Sequence, residues 1–383
     1  MTGSTTRVAI VSGARTPIGR AGKAYANIHP ADLLGASLNA AALRSGLDDP
    51  GRIDQALVGC VYQAGDQSMN IGRNGWLAAG LPYTVPASTI DTQCGSSQQA
   101  ANLGAALIMA GQADLVMAAG VESLGRVKPD LSSHGGHPYP QSLLTRYKMP
   151  HQSTAGEAVA KHYGVTRAQS DAVGLRSHLR ADQAWNTGRL KPQSVEIEID
   201  GTSLLERDEG IRADSTDEKM AALTPAFDKN GIITAGSASQ FSDGSAALLL
   251  ASERAVEQYG LEPIAWIRRV VSVGVDPDLM LEGPIVATHR LLDTHRISID
   301  DIDLVEVHEA FAAVVCAWQS VYNVDIERLN VNGGAIGMGH PFGASGIRQL
   351  VDLAHQLRTT RGTALSVMCC AGGIGTGTLL ESA

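Results

Sequence analysis

The 383-residue sequence has few aromatic residues, no long hydrophobic run and no excess of positive charge. It contains four Phe, four Trp and eight Tyr. The most apolar stretches, residues 100–111 and 245–251, are too short to cross a bilayer. With 30 basic against 39 acidic residues the net charge is −9, the wrong sign for binding nucleic acid or an anionic membrane. We therefore expect neither nucleic acid nor a membrane among its partners.

Signals for export and for a bound metal are lacking too. Residues 1–17 show no charged segment followed by an apolar run, so no signal peptide is expected. The cysteines are odd in number and none is spaced as in a metal knuckle; they are Cys60, Cys94, Cys316, Cys369 and Cys370. These features predict a cytoplasmic protein with reduced thiols and no bound metal.

The residues that are abundant indicate a large layered core. Hydrophobic residues make up 44% of the chain and charged residues 18%, which excludes wholesale disorder. The length exceeds the roughly 250–300 residues at which a single core stops growing, so we expect more than one domain. Because aromatics are scarce, small aliphatic side chains must fill the core. The 42 glycines favour tight turns and close backbone contacts.

Strand-like and helix-like segments alternate in two similar series, which is typical of an α/β fold. The first series has strands at residues 7–12, 55–61, 88–94 and 114–119 and helices at 30–43 and 98–110. The second has strands at 264–273, 303–307 and 364–368, a helix at 284–292, and a glycine-rich turn, 331–346, that leads into a further helix. This repeat predicts that Cys94 and His340, each in the turn before a helix, meet at one site.

A segment of different character separates the two series. It is polar, rich in proline around residues 129–150 and densely charged at 206–219. We take it as an inserted subdomain that covers or holds a ligand. The predicted organisation is an N-terminal half at 1–121, the inserted subdomain at 122–238, a return to the N-terminal half at 239–263 and a C-terminal half at 264–383.

Cys94 is the first candidate for chemistry, because it lies between a predicted strand and a predicted helix. The helix dipole and the N–H groups at a helix start stabilise a thiolate, so the pattern predicts a lowered thiol pKa. The same N–H groups would bind an oxyanion formed on whatever the sulfur attacks. The alternative is a small buried apolar residue, as most cysteines are.

Three further residues occupy positions suited to chemistry. His340 lies in Gly-Met-Gly-His-Pro-Phe-Gly, a tight turn that aims its imidazole as a base or oxyanion donor. Cys369 ends a predicted strand before a glycine loop. It is either a proton donor and acceptor beside Cys94 or, like Cys370, a buried small residue. His308 follows the strand at 303–307, at the carboxyl end where α/β domains bind ligands.

Four segments taken together resemble the thiolases, a family of acetyl-CoA acyltransferases. They are Asp91-Thr-Gln-Cys-Gly-Ser-Ser, His308-Glu-Ala-Phe, the glycine-rich segment 332–346, and Cys369-Cys-Ala-Gly-Gly-Ile-Gly. The likeness runs in order from residue 8 to the last residues. It implies an α/β thiolase fold: five layers, αβαβα, built from two similar halves with an inserted loop domain that holds coenzyme A.

The resemblance also implies catalytic roles. Cys94 would be the acylated nucleophile, His340 its base and an oxyanion donor, and Cys369 the second acid and base. His308 stands where the family usually has an asparagine that holds a water, so it either holds that water or donates directly to an enolate oxygen. The backbone N–H groups of Cys94 and of Ala371, where the family commonly has glycine, would bind the second oxyanion.

Coenzyme A contacts follow from the same resemblance. Ala238 and Ser239 would face the pantetheine, His151 would lie near the loop-domain helix, Phe311 beside the reactive end, and Met280 in the acyl pocket. From the residues alone, a close-packed turn remains the alternative for Ala238 and Ser239, and a core aromatic for Phe311.

The activity implied by the resemblance is transfer of an acyl group from a 3-ketoacyl-CoA to CoA, with release of acetyl-CoA, in the β-oxidation of a fatty acid or another acyl side chain. Coenzyme A is then a substrate, no cofactor is bound permanently, and a homodimer or homotetramer is expected. The alternatives are a biosynthetic acetoacetyl-CoA thiolase and, remotely, a non-catalytic acyl-CoA binder. A ketoacyl synthase is disfavoured, because Cys369 and the Gly-His-Pro turn belong to thiolases.

Overall fold

The computed structural model describes residues 6–133, 135–295 and 297–383. The strands are β1 (Val8–Arg15), β2 (Gly19–Arg20), β3 (Gln55–Gly59), β4 (Ala87–Ile90), β5 (Leu115–Ser123), β6 (Glu198–Ile199), β7 (Thr202–Ser203), β8 (Ser242–Ser252), β9 (Ala265–Gly274), β10 (Leu304–Val307), β11 (Thr363–Cys370) and β12 (Ile374–Ser382). The helices are α1 (Pro30–Arg44), α2 (Ile71–Ala78), α3 (Ser96–Met109), α4 (Gln141–Leu144), α5 (Gln152–His162), α6 (Arg167–Asn186), α7 (Asp217–Ala221), α8 (Glu253–Tyr259), α9 (Gly283–His295), α10 (Ala312–Tyr322), α11 (Ala335–Met338) and α12 (Ser345–Thr360).

The main strands form two half-sheets that share one order of pairing. The first runs β4-β3-β5-β8-β1 and the second β10-β11-β12-β9. In each, a parallel pair (β3 with β5, β10 with β11) is followed by two antiparallel pairs. The half-sheets join where Val8 to Ile10 of β1 pairs antiparallel with Ala265 to Ile267 of β9. The predicted repeat of two similar halves is confirmed.

Helices cover both half-sheets and also lie between them. α3 and α12 contact each other and strands of both half-sheets. α1 and α2 pack on the outer face of the first half-sheet, and α9 and α10 pack with the second. The stacking order is therefore helix, sheet, helix, sheet, helix. The expected five-layered thiolase fold is confirmed, and its central helical layer carries the turns that hold Cys94 and His340.

Small side chains allow the central layer to pack closely. Ala100, Ala101 and Ala105 of α3 are fully buried against the sheets. At Gly346, in the first turn of α12, an added Cβ would overlap the backbone of Gln98 in α3. The expectation of a core built from small aliphatic residues and close backbone contacts is confirmed, because α12 has no side chain where it meets the backbone of α3.

The strand expected at residues 88–94 is shorter than predicted. β4 ends at Ile90, and the Asp91 carboxylate accepts a hydrogen bond of 2.7 Å from the backbone N–H of Gln93. Gln93 has φ +52°, a left-handed conformation that a strand does not contain. The prediction was wrong here because this local turn competes with strand pairing. As a result, Cys94 leaves the sheet before α3 begins.

The segment between β5 and β8 contains the β6–β7 hairpin and the helices α4 to α7. Its helices α5 and α6 pack on α10, and α6 also packs on α11. The domain boundaries proposed from the sequence stay a prediction. Among the described residues, no helix has both the length and the apolar character that crossing a membrane requires.

We predict that Gly120→Ala destabilises the fold. Gly120 lies in β5, and an added Cβ would overlap the Gly343 carbonyl oxygen, which is backbone and cannot rotate away. We expect a loss of about 1–3 kcal/mol in the free energy of unfolding, as is typical of overpacking. Chemical denaturation measures it. Gly274→Ala is the matched control, because nothing lies within 4 Å of its added Cβ. Equal stability of the two variants would contradict the prediction.

Candidate active site

The two predicted turns meet at one cavity. Cys94 stands just before α3, His340 lies between α11 and α12, and His308 directly follows β10. A sulfur or ring nitrogen of each of these three side chains lies within 4.8 Å of the other two. Residues that are far apart in sequence therefore form one cluster, as the repeat predicts for Cys94 and His340.

Hydrogen bonds fix the proton positions on the two imidazoles. His340 Nδ1 lies 2.6 Å from Ser345 Oγ, and that hydroxyl lies 3.0 Å from the Pro341 carbonyl oxygen. Because the hydroxyl donates to the carbonyl, His340 Nδ1–H donates to Ser345 Oγ, and His340 Nε2 carries a lone pair. His308 Nε2 is 3.2 Å from His340 Nε2 and must be the donor of that pair. His308 Nδ1 is then buried without a hydrogen-bond partner.

Both imidazoles are neutral. Burial lowers the pKa of His308 to about 3, with a further contribution from the buried Arg348 guanidinium. Burial also lowers the pKa of His340 well below its usual value, and His308 and Arg348 act in the same direction. His340 is therefore poised to accept a proton on Nε2, but it cannot hold a preformed imidazolium beside Cys94.

The thiol of Cys94 is also neutral, in contrast to the sequence-based expectation. Burial raises its pKa to about 12, although the backbone N–H groups of Cys94 and Ala371 both lower it. The predicted lowered pKa was wrong, because removing the sulfur from water outweighs the N–H groups that the sequence pattern identified. The two N–H groups are nonetheless aimed at the sulfur, as expected.

The second cysteine is buried beside the first. Cys369 is fully buried in β11, and burial, followed by the neighbouring Cys94 sulfur, raises the pKa of its thiol. The backbone N–H of Ala310 points at this sulfur. Cys370 is equally buried but receives the N–H of Gly95 and the hydroxyl of Thr376. Cys369 thus lies where it can exchange a proton with a group bound at Cys94.

Two buried glutamates that the sequence analysis missed hold the turns in place. Glu122, at the end of β5, accepts hydrogen bonds of 2.9 Å from the N–H of Val61, 3.1 Å from Tyr62 and 2.9 Å from Gly343. Gln67 Nε2 donates to the same carboxylate at 2.7 Å. Glu122 therefore links the N-terminal half to the His340 turn. The signal available in the sequence was one acidic residue in an otherwise apolar strand.

Glu309 acts in the same way on the C-terminal side. Its carboxylate accepts from Ser177 Oγ at 2.5 Å, from Asn330 Nδ2 at 2.8 Å and from the Ile336 N–H at 3.1 Å. These donors belong to α6, to the loop after α10 and to α11. One buried side chain thereby links the inserted segment to the residues on either side of the active site. The acidic residue next to His308 in His308-Glu-Ala-Phe was the sequence signal.

A cavity of about 150 Å³ opens above Cys94 and His340. Its walls include four of the residues expected to contact coenzyme A: His151, Ala238, Ser239 and Phe311. Met280, expected in the acyl pocket, does not line this cavity. Its side chain is buried in the C-terminal core, in the same cluster as Phe311. Its place in the acyl pocket stays a prediction.

All four phenylalanines of the chain line this one cavity. They are Phe227, Phe241, Phe311 and Phe342. The ring of Phe342 lies 4.7 Å from the His340 ring and 5.6 Å from the Phe241 ring, centroid to centroid. Phe227 packs edge-on against Phe311 at 6.1 Å on another part of the wall. A sequence poor in aromatics thus places its phenylalanines at the reactive centre.

We predict that alkylation of Cys94 by iodoacetamide accelerates with pH without a plateau near neutrality. A thiol with a pKa near 12 gains about tenfold in thiolate per pH unit below that value. Mass spectrometry of the modified peptide gives the rate, and Cys94→Ser confirms the site. A rate that levels off below about pH 8 would indicate a preformed thiolate and imidazolium pair and contradict the prediction.

Known proteins are similar to this chain in both sequence and fold. Residues 8–254 match the family model described as the thiolase N-terminal domain, and residues 261–382 match the thiolase C-terminal domain. A steroid 3-ketoacyl-CoA thiolase of Mycobacterium tuberculosis is 39% identical, over 98% of this chain and 94% of its own. An acetyl-CoA acetyltransferase of Syntrophomonas wolfei is 37% identical, over 99% and 100%.

Solved structures agree with these sequence matches. The acetyl-CoA acetyltransferase of Bacillus anthracis superposes with a TM-score of 0.91 at 35% identity, over the whole of both chains. Human mitochondrial 3-ketoacyl-CoA thiolase in complex with CoA gives 0.89 at 31% identity, over 99% of this chain and 98% of its own. With both family models matched in order along nearly its entire length, the chain belongs to the thiolase family.

Proposed function

We propose that this enzyme transfers the acyl group of a 3-ketoacyl-CoA to CoA and releases acetyl-CoA, with Cys94 carrying the acyl group in between. The observation that carries the proposal is a cluster of reactive side chains beside one cavity. Cys94 and His340 line the cavity, His308 lies with them within 4.8 Å, and the buried Cys369 thiol neighbours the Cys94 sulfur. The names of similar proteins, among them 3-ketoacyl-CoA thiolases, support this direction. We further propose a cytoplasmic homodimer or homotetramer acting in β-oxidation.

In the first half-reaction, the Cys94 thiol gives its proton to His340 Nε2 as the sulfur attacks the 3-keto carbon. The oxyanion of the tetrahedral intermediate accepts from the N–H groups of Cys94 and Ala371, which already point at the sulfur. The C2–C3 bond then breaks, and its electron pair leaves as the enolate of acetyl-CoA. The Cys369 thiol protonates C2 of that enolate and becomes a thiolate.

In the second half-reaction, the Cys369 thiolate takes the proton of an incoming CoA thiol. The CoA thiolate attacks the acyl carbon on Cys94, and the Cys94 sulfur leaves and recovers its proton from His340. Every group returns to its starting protonation state. Burial makes this relay necessary, because it raises the pKa of both thiols and lowers that of His340, so none is charged before substrate binds.

For the enolate oxygen we propose direct donation from His308. In the resting site, the His308 Nε2–H donates to His340 Nε2 across 3.2 Å. Once His340 Nε2 takes the Cys94 proton, that acceptor is lost and two N–H groups need a new partner. The thioester oxygen of the departing enolate supplies it. His308 thereby replaces the water-holding asparagine that is usual in the family.

We expect Cys94→Ala to abolish thiolysis, because the nucleophile is lost. CoA binding should stay nearly intact, because the aromatic walls of the cavity are unchanged. Cys369→Ala should still form an acyl adduct at Cys94 but turn over slowly, because the enolate and the CoA thiol lack their proton partner. A spectrophotometric thiolysis assay and mass spectrometry of the Cys94 peptide measure both. Cys316→Ala is the control thiol. More than trace activity in Cys94→Ala, or no Cys94 adduct in the wild type, would refute the mechanism.

We propose that the acyl group is larger than that of acetoacetyl-CoA and packs near Phe241. Ser239, Phe311 and His151, three of the expected coenzyme A contacts, line this cavity. Phe241 and Pro129 line both this cavity and an adjacent, open one of about 470 Å³. Phe241 is 59% exposed, so part of its ring is open to contact with an acyl chain. Carbons beyond C4 would run past Phe241 into the second cavity.

A thiolysis assay across 3-ketoacyl-CoA chain lengths tests the acyl site. We expect kcat/KM to rise from acetoacetyl-CoA to longer substrates. Phe241→Ala should lower kcat/KM for the longer ones by about tenfold or more, the equivalent of losing burial of part of a ring. Acetoacetyl-CoA should be affected much less. A preference confined to acetoacetyl-CoA would instead favour a biosynthetic acetoacetyl-CoA thiolase.

A further inference from the structure

We propose that Cys94, His308 and His340 together bind one soft divalent cation of the zinc type, and that the enzyme is inactive while the ion is bound. Among the described residues, these three form the group of His, Cys and carboxylate side chains whose ligand atoms converge within 4.8 Å. No short motif in the sequence identifies this group, because its three ligands come from three separate turns. Binding of the ion is a different function from acyl transfer, although it uses the same side-chain atoms.

The distance between the two imidazoles suits a tetrahedral ion. Zn²⁺ binds histidine nitrogen at about 2.0–2.1 Å, which places two such nitrogens about 3.3 Å apart in a tetrahedron. His308 Nε2 and His340 Nε2 are 3.2 Å apart. The Cys94 sulfur completes the set, with each pair of the three ligand atoms within 4.8 Å. Two imidazoles and one thiolate are ligands that Zn²⁺ prefers.

The hydrogen-bond pattern of the site also accommodates the ion. On binding, the Cys94 thiol releases its proton to solvent, and the sulfur donates an electron pair to the metal. The His308 proton moves from Nε2 to Nδ1. Because His308 Nδ1 has no hydrogen-bond partner, this shift breaks only the contact that the ion replaces.

The surroundings hold one ligand firmly and leave room for a fourth. His340 Nδ1–H donates to Ser345 Oγ at 2.6 Å, the outer-shell contact that fixes a metal-binding imidazole by its other nitrogen. The nearby Arg348 cation lowers the pKa of both imidazoles and so also opposes an ion there, and its ion pair with Glu306 offsets part of that repulsion. The cavity above Cys94 supplies the fourth position, for water or a substrate thiol.

Bound metal and acyl transfer exclude each other. A metal-bound thiolate has committed the electron pair that attacks the 3-keto carbon. A metal-bound His340 Nε2 cannot accept the Cys94 proton. Conversely, Cys94 that is acylated or alkylated cannot bind the ion, because its sulfur no longer forms a thiolate. The expected behaviour is inhibition by zinc that a chelator reverses and that prior acylation of Cys94 prevents.

The test is titration of the reduced, metal-free enzyme with Co²⁺ alone, which stands in for Zn²⁺ and reports its ligands by absorption. We expect one equivalent per chain, a thiolate-to-cobalt band in the near ultraviolet and visible bands of a tetrahedral ion, all lost when Zn²⁺ is added. Cys94→Ser should lose the near-ultraviolet band. His308→Asn should weaken binding by at least about tenfold, a loss seen even for outer-shell partners. Cys316→Ser, which removes a partly buried thiol elsewhere, should titrate as the wild type does.

The outcomes separate this inference from the proposed function, because no substrate is present. Absence of a 1:1 complex in the wild type, retention of the sulfur band in Cys94→Ser, or unchanged affinity in His308→Asn would each overturn the site. Thermal unfolding verifies that the variants are folded. A second readout uses the wild type: Zn²⁺ should slow alkylation of Cys94 by iodoacetamide, with full recovery after chelation. An unchanged alkylation rate at saturating Zn²⁺ would also overturn the proposal.

Discussion

The close packing of α3 against α12 is the contact on which the site depends. Ser97 Oγ of α3 accepts a hydrogen bond of 3.0 Å from the N–H of Ile347 in α12. Gly346 permits the approach, since any side chain there would overlap Gln98. These residues lie in the first turns of the two helices, so the same contact that closes the central layer also sets the distance between Cys94, just before α3, and His340, just before α12.

Burial that stabilises this layer also determines the chemistry. Both histidine rings are buried and Cys94 is partly buried. This burial raises the pKa of the thiol and lowers the pKa values of the imidazoles. The resting site therefore contains no charged nucleophile. Neutral groups that lie close together can move a proton among themselves when substrate arrives.

Several features were predictable from the sequence because they are local or repeated. Alternating segments predicted the two similar halves, and the repeat placed the Cys94 and His340 turns together. Motifs at residues 308 and 369 gave further site residues by resemblance to the thiolases. The expectation for Cys94 acidity failed, since local signals describe the N–H groups near the sulfur but not the removal of water by the rest of the fold.

The sequence by itself determined the composition of the core, the family and a candidate nucleophile, because each follows from periodicity or from a short motif. Only the tertiary structure decided how the distant pieces combine. Glu122 reaches residues 61, 62 and 343, and the four phenylalanines gather at one cavity from four separate segments. His308 and His340 share a hydrogen bond across 32 positions of chain. Such contacts depend on three-dimensional packing, which no single segment encodes.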